Sequence, residues 1–313
     1  MNIPPAPSPV TISLDWLVGL RAVGARRKTP SRSAAAIRAG EHLSHIRGRG
    51  MEFSEVRSYH PGDDIRTIDW RVTARSGKVH TKLFHEERER PVLIAVDYRR
   101  QMFFATRGRF KAVLASELAA RMAWLALAGS NRVGAFLFSE EERIEVRPSG
   151  GRRGVLRLLQ QMVSHPAWER ELHAPFAPEK RLAATIIRLR RVVQPGTMVI
   201  LISDFAQWDE EVEQQLALMG RHADICLLFC YDPLEADLPE CGHYRISDGR
   251  SELTIATADA GLRDRYALQF QEHFATIKDF CRSCRVYLQA VSTSDNPEQV
   301  QLPGVHRRAH AVA

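Results

Sequence analysis

The chain lacks any run of the roughly 18 unbroken apolar residues that a membrane-spanning helix needs. Its longest apolar runs, Met198–Ile202 and Ile225–Cys230, are only strand length. The opening "MNIPPAPSPVTISLDW" has neither a basic nor an apolar region of the kind that marks a signal peptide. Five cysteines are an odd set in 313 residues, and without an export signal they read as reduced thiols, so the expected compartment is the cytoplasm. No phosphate loop of the form G-x-x-x-x-G-K-[ST] occurs, and no G-x-G-x-x-G follows the first buried strand. A nucleophile elbow, G-x-S-x-G, is also absent, which disfavours reading Ser203–Asp204 as hydrolase machinery. "CRSC" at 281–284 has no second Cys or His pair to complete a zinc shell, and "HLSH" at 42–45 lacks the glutamate of a metalloprotease helix. "GGRRG" at 150–154 opens a helix, but one glycine cluster reads first as a loop. No cofactor is expected.

Charge is unevenly placed. The chain carries +7 overall. Residues 1–50 hold eight basic and two acidic side chains, and the remainder holds 36 basic and 35 acidic. The expectation is a basic, partly helical N-terminal arm over 1–50, with short helices near Leu14–Arg21 and Ser33–His45. Aromatic residues are not interleaved with these charges, which disfavours nucleic acid as the arm's partner.

Residues 51–90 read as a small β element. In "IRTIDWRVTAR" the residues Ile68, Trp70, Val72 and Ala74 alternate with Asp69, Arg71, Thr73 and Arg75, predicting a half-buried strand with Trp70 inside. "VHTKLFHEERER" predicts the next strand. Asp63, Asp64 and Asp69 lie close in sequence to Arg57, Arg66, Arg71 and Arg75, and guanidinium groups pair readily with carboxylates. A structural ion-pair network locking this element onto the main sheet is the preferred reading. The alternative uses Asp63 and Asp64 as Mg²⁺ ligands of a metal-dependent phosphoesterase or nuclease.

From Pro91 onward, apolar runs alternate with amphipathic segments. This rhythm predicts a doubly wound, mainly parallel α/β sheet of Rossmann type, with "EERIEVRP" as an antiparallel edge strand. Such sheets place ligands beyond the carboxyl ends of the strands, where the winding reverses. Asp97 and Asp204 end two predicted central strands there, and Asp232 ends a third.

The stretch "GRGMEFSEVRSYHPGDDIRTIDWRVTARSGKVHTKLFHEERERPVLIAVD" closely resembles the signature of the bacterial family catalogued as "domain of unknown function 58". The signature includes Glu52 together with the acids and arginines named above. The resemblance implies a von Willebrand factor type A-like domain over residues 91–293, followed by a flexible tail over 294–313. It also implies partnership with a MoxR-type AAA+ ATPase, and with other type A proteins, in a non-enzymatic adaptor or chaperone-like role. Type A domains often carry a metal-ion-dependent adhesion site with the core D-x-S-x-S. Asp97 matches its first position and Asp204 its late aspartate, but Arg99 and Gln101 stand where the serines would be. The site therefore reads as degenerate, with no metal. Two converging carboxylates need a positive charge to stay ionised together. Arg99 is the expected source, Arg100 the competing one, and a vacant pocket with both arginines in solvent the remaining alternative.

Overall fold

The computed structural model describes residues 8–21, 51–60, 64–86, 89–170, 182–240, 242–247, 252–298 and 300. The chain divides into two compact units, Thr29–Glu89 and the remainder.

The larger unit is an α/β sandwich around six strands: β3 (Pro91–Asp97), β4 (Arg132–Phe138), β5 (Arg143–Ser149), β6 (Met198–Ser203), β7 (Asp224–Tyr231) and β10 (Tyr287–Ser292). Their order is β10-β7-β6-β3-β4-β5, with every neighbour parallel except the β4–β5 hairpin. The expected antiparallel edge strand is thus present. Because successive side chains on a strand point to opposite faces, a strand buried on both sides must be apolar throughout. β3 shows this directly: Val92, Ile94 and Val96 join one core, while Leu93 and Ala95 join the other. The first core is closed by α3 (Lys111–Ala128) and α4 (Gly151–Val163). The second is closed by α5 (Leu182–Val192), α6 (Glu210–Gly220) and the long α8 (Ala260–Ser283). Helices on both faces make the sheet doubly wound. The chain leaves β5 at one edge and returns to β6 beside β3, so the winding reverses between β3 and β6.

Gly154 lets α4 approach the end of β5, since a Cβ there would collide with the Ser149 carbonyl oxygen. Its place in "GGRRG" is explained by this packing. In "CRSC", Cys281 is buried against the second core and Cys284 is exposed. Burial pushes the Cys281 thiol up to about 12. A short antiparallel pair, β8 (His243–Ser247) with β9 (Glu252–Ala256), precedes α8.

The N-terminal segment corrects the expectation of a separate basic arm. Helix α1 (Leu14–Gly19) begins at Ser13, whose hydroxyl accepts from the Trp16 N–H. Leu17 and Leu20 are fully buried in the first core. Trp16 donates its indole N–H to Glu117 of α3 at 2.7 Å, and Trp124 donates to the Leu17 carbonyl at 3.1 Å. Leu14, Leu17 and Leu20 predict the helix, but not the burial of Leu17 and Leu20 in the first core. The expected helix at 33–45 lies outside the described residues, as does most of the tail.

The smaller unit pairs β1 (Met51–Ser58) with β2 (His80–Glu86) in an antiparallel ladder running from Met51 opposite Glu86 to Ser58 opposite His80. Between them the expected strand over 65–75 is absent. The chain instead forms a 3₁₀ turn, Ile65–Thr67, and a helix, α2 (Trp70–Ser76). Two aspartates explain the difference. Asp64 accepts from the Arg66 N–H at 3.0 Å, and Asp69 accepts from the N–H groups of Arg71 and Val72 at 3.0 and 3.1 Å. Short carboxylates at helix starts satisfy otherwise orphaned backbone donors, and this outweighs side-chain alternation. Gly77, at φ +69°, ends α2 in the left-handed conformation. Trp70, expected inside, is 68 % exposed.

Candidate functional site

The site lies at the carboxyl ends of β3 and β6, where the winding reverses. Asp97, the last residue of β3, is fully buried. The Arg99 side chain folds back onto it. Its Nε lies 3.1 and 3.0 Å from Asp97 Oδ1 and Oδ2, and its Nη2 lies 2.7 Å from Oδ2. The Arg99 backbone N–H adds a bond to Oδ1 at 2.8 Å, and Ser203, ending β6, donates its hydroxyl to Oδ2 at 2.6 Å. Arg99 Nη2 also stands 3.9 Å from Asp204 Oδ1, and its guanidinium lies over the Phe138 ring. Of the two candidate arginines, the one beside Asp97 and Asp204 is therefore Arg99. Arg100 opens a 3₁₀ turn, Arg100–Met102, that also holds Gln101, and its backbone N–H donates to Glu140.

A second internal cation completes the cluster, and the sequence reading missed it. Lys111 heads α3 and is only 1 % exposed. Its ammonium donates to Asp204 Oδ2 at 2.9 Å and to Glu235 Oε1 at 2.6 Å. Glu235 sits in the short helix α7 (Pro233–Ala236), where its other oxygen accepts from the Asp232 N–H as half of a capping box. Asp232 in turn accepts from Leu234 N–H, from Thr106 through both backbone and hydroxyl, and from Thr293 Oγ1. These bonds tie the loops after β3, β7 and β10 to one carboxylate.

Charge follows the geometry. Burial works against the Lys111 and Arg99 cations, but the carboxylates around them more than offset it, and both pKa values move up. Burial alone would raise Asp204; Lys111 and Arg99 outweigh it and hold this carboxyl below its ordinary range. For Glu235 burial wins, and its pKa is raised. The turn beyond Asp204 is strained: Phe205 and Gln207 adopt φ of 51° and 65°, a conformation costly for residues other than glycine.

A divalent cation such as Mg²⁺ needs about six oxygen ligands in near-octahedral array. Here both oxygens of Asp97 accept from a guanidinium, and one oxygen of Asp204 accepts from an ammonium. The guanidinium and the ammonium would both have to leave before a metal ion could enter. The donor set does not fit a metal ion.

The family described as "Protein of unknown function DUF58" matches residues 55–276. The chain belongs to it. Among relatives of this DUF58 chain, "Uncharacterized protein Rv1480" of Mycobacterium tuberculosis is 31 % identical over 255 residues, covering 81 % of this chain and 78 % of its own. "Uncharacterized protein Mb1516" of Mycobacterium bovis matches with the same identity and coverage. Among solved structures, the conserved hypothetical protein BatB from Bacteroides thetaiotaomicron aligns with a TM-score of 0.43 and 14 % identity, over 65 % of this chain and 90 % of that one. An aerotolerance-related membrane protein from Bacteroides fragilis gives a TM-score of 0.42 and 14 % identity, over 67 % and 93 %.

The acids and arginines of the DUF58 signature belong to the smaller unit, where two of the acids are helix caps. Arg66, Arg71 and Arg75 make no ion pair among the described residues, while Asp64 and Asp69 serve as caps. Arg57 donates to the Ser58 carbonyl at 3.2 Å. Glu52 lies on β1, and its side chain and Asp63 fall outside the described residues.

Behind the Asp97 loop, His165 is buried beside Tyr98, with ring centroids 4.9 Å apart. Its Nδ1 accepts from the Ala167 N–H, and its Nε2 is buried without a partner. Burial, helped by the Arg170 charge, pushes its pKa down to about 4. Above the ordinary value of about 6.5 the ring is neutral folded or unfolded; below it only the unfolded chain takes up the proton, until about pH 4. His165→Asn keeps the cap acceptor without the titration. Its unfolding free energy should fall less than that of the parent between pH 7 and pH 5, by about 1–2 kcal/mol in urea titrations. Parallel pH profiles would show that the ring titrates normally.

Proposed function

We propose that this chain is a non-enzymatic protein-binding module of the von Willebrand factor type A kind, an adaptor or chaperone-like partner of a MoxR-type AAA+ ATPase. Its adhesion site is degenerate: a guanidinium and an ammonium stand in for the metal ion. The observation that carries this reading is the two-pronged pairing of Arg99 with Asp97 at the end of β3. An internal cation leaves the loops preset at all times, so partner binding does not wait for an ion to arrive. The resemblance of the signature supports the ATPase as partner, and other type A proteins are further candidates. The saturated carboxylates weigh against metal-assisted hydrolysis at this site. Asp64, committed to a cap, weighs against the phosphoesterase or nuclease alternative. Among the described residues no helix is long and apolar enough to cross a membrane. The cytoplasm, where such an ATPase would meet the chain, is the proposed location.

The test is surface-immobilised capture of a purified MoxR-type AAA+ ATPase, nucleotide-free, with and without EDTA. The reading predicts saturable binding that is indifferent to the chelator. Binding abolished by EDTA and restored by Mg²⁺ would contradict the internal-cation part. No binding in either buffer would contradict the choice of partner.

A further inference from the structure

The smaller unit carries a short helix, α2, whose outer side is exposed. Along α2, Trp70 and Ala74 lie one helical turn apart, as do Arg71 and Arg75, so the four side chains form one continuous strip. All four are exposed. The inner side of the helix is formed by Val72 and Thr73, which are half-buried. Arg66 before the helix and Lys78 after it are exposed as well. None of these four cations has a carboxylate partner among the described residues. The nearby acids, Asp64 and Asp69, direct an oxygen to backbone N–H groups of their own turns. The same short stretch also exposes two aliphatic side chains, Ile65 at 67 % and Val79 at 42 %.

Exposed aromatic and aliphatic groups beside four cations that have no carboxylate partner among the described residues are unusual on a surface that meets only water. Tryptophan and arginine are also the residues that most often dominate the energy of protein interfaces. We infer that the outer strip of α2, with Trp70 as apolar anchor and Arg66, Arg71, Arg75 and Lys78 around it, docks an acidic face of a partner protein. Charge complementarity selects the occupant: four exposed cations with no carboxylate partner among the described residues favour a surface rich in Asp and Glu, and repel a basic one. A single-stranded nucleic acid would also meet the charge. It would use several aromatic platforms in series along a groove, whereas this strip offers one tryptophan on a helix of seven residues. The inference rests on the reading of the chain as a binding module, but not on the identity of its partner.

The experiment uses the full chain and three probes. These are a synthetic helical peptide with glutamates flanking a leucine stripe, a single-stranded oligonucleotide of equal charge, and the ATPase named above. Each is titrated against the parent, Trp70→Ser, and Arg71→Glu/Arg75→Glu. The substituted side chains are exposed, so thermal midpoints should stay close to the parent's. The peptide should bind the parent about tenfold or more tightly than either variant. Its affinity should also fall as salt rises from 50 to 300 mM, because exposed charges are screened over roughly 10 Å or less. Peptide binding that is absent, or equal in all three proteins, overturns the inference. So does an oligonucleotide that binds the parent more tightly than the peptide and is lost in both variants. An ATPase that binds all three proteins equally leaves the adaptor reading standing and removes this face from it. An ATPase that never binds, beside a peptide that binds through Trp70, sinks the partner assignment and keeps the face.

Discussion

Lys111→Met should lower the unfolding free energy by about 3–5 kcal/mol near pH 8, read as a shift of the urea midpoint. The replacement keeps an unbranched chain of similar length and removes only the charge. Asp204 and Glu235 both lie within 3 Å of the ammonium nitrogen, so its loss leaves a buried and a half-buried carboxylate without their shared cation. One of them must take up a proton or the structure must open. The defect should shrink as pH falls toward 5, because Glu235, already raised by burial, is protonated first. In the parent the sign is opposite at this cluster. Asp204 is held low by Lys111 and Arg99, so its contribution is present above the ordinary carboxylate range and is lost as pH drops below it. Adding Asp204→Asn to Lys111→Met should recover part of the loss, since the uncompensated charge goes with it. Additive losses would show that the two groups are not coupled.

Removal of residues 1–21 should be as damaging. Leu17 and Leu20 fill the core beneath α3, and each buried leucine lost typically costs about 2–5 kcal/mol. The deletion also strips Glu117 of the Trp16 indole, leaving that buried carboxylate with Arg109 alone among its side-chain partners. Calorimetry should show a much lower transition or none. Leu17→Ala, which keeps the rest of α1, separates packing from length: it should cost about 2–5 kcal/mol by itself. A shortened chain that melts with the parent would restore the idea of a dispensable arm.

The main sheet was legible because parallel strands buried on both faces are written as unbroken apolar runs, and β3, β6 and β7 are such runs. The meeting of Asp97 and Asp204 was legible for the same reason: Asp97 ends one central strand and Asp204 directly follows another. Lys111 was not, since it is 93 residues from Asp204 and heads a helix, where a lysine usually faces water. A signal did exist. "KAVLASELAARMAWLALA" is apolar on nearly every side, so a lysine at its head has little solvent to point into. Trp70 was misplaced because the alternation from Ile68 to Arg75 was weighed above Asp69 and Gly77, a cap and a stop that flank the seven residues of α2. Leu17 and Leu20 were recognised as helical, but nothing local distinguishes a docked short helix from an exposed one.

The measurement that bears most directly on the internal-cation site is calorimetric titration of Mg²⁺ and Mn²⁺ into the intact chain and into Arg99→Ser/Gln101→Ser/Lys111→Ala. The third substitution is needed because the Lys111 ammonium would otherwise remain on Asp204. The parent should give no saturable heat and no rise in melting temperature, since an ion that bound only the folded state would stabilise it. The triple variant, its carboxylates released, should bind Mn²⁺ measurably and gain thermal stability from it. Saturable binding by the parent at millimolar or lower Mg²⁺, abolished by Asp97→Ala, would contradict the account.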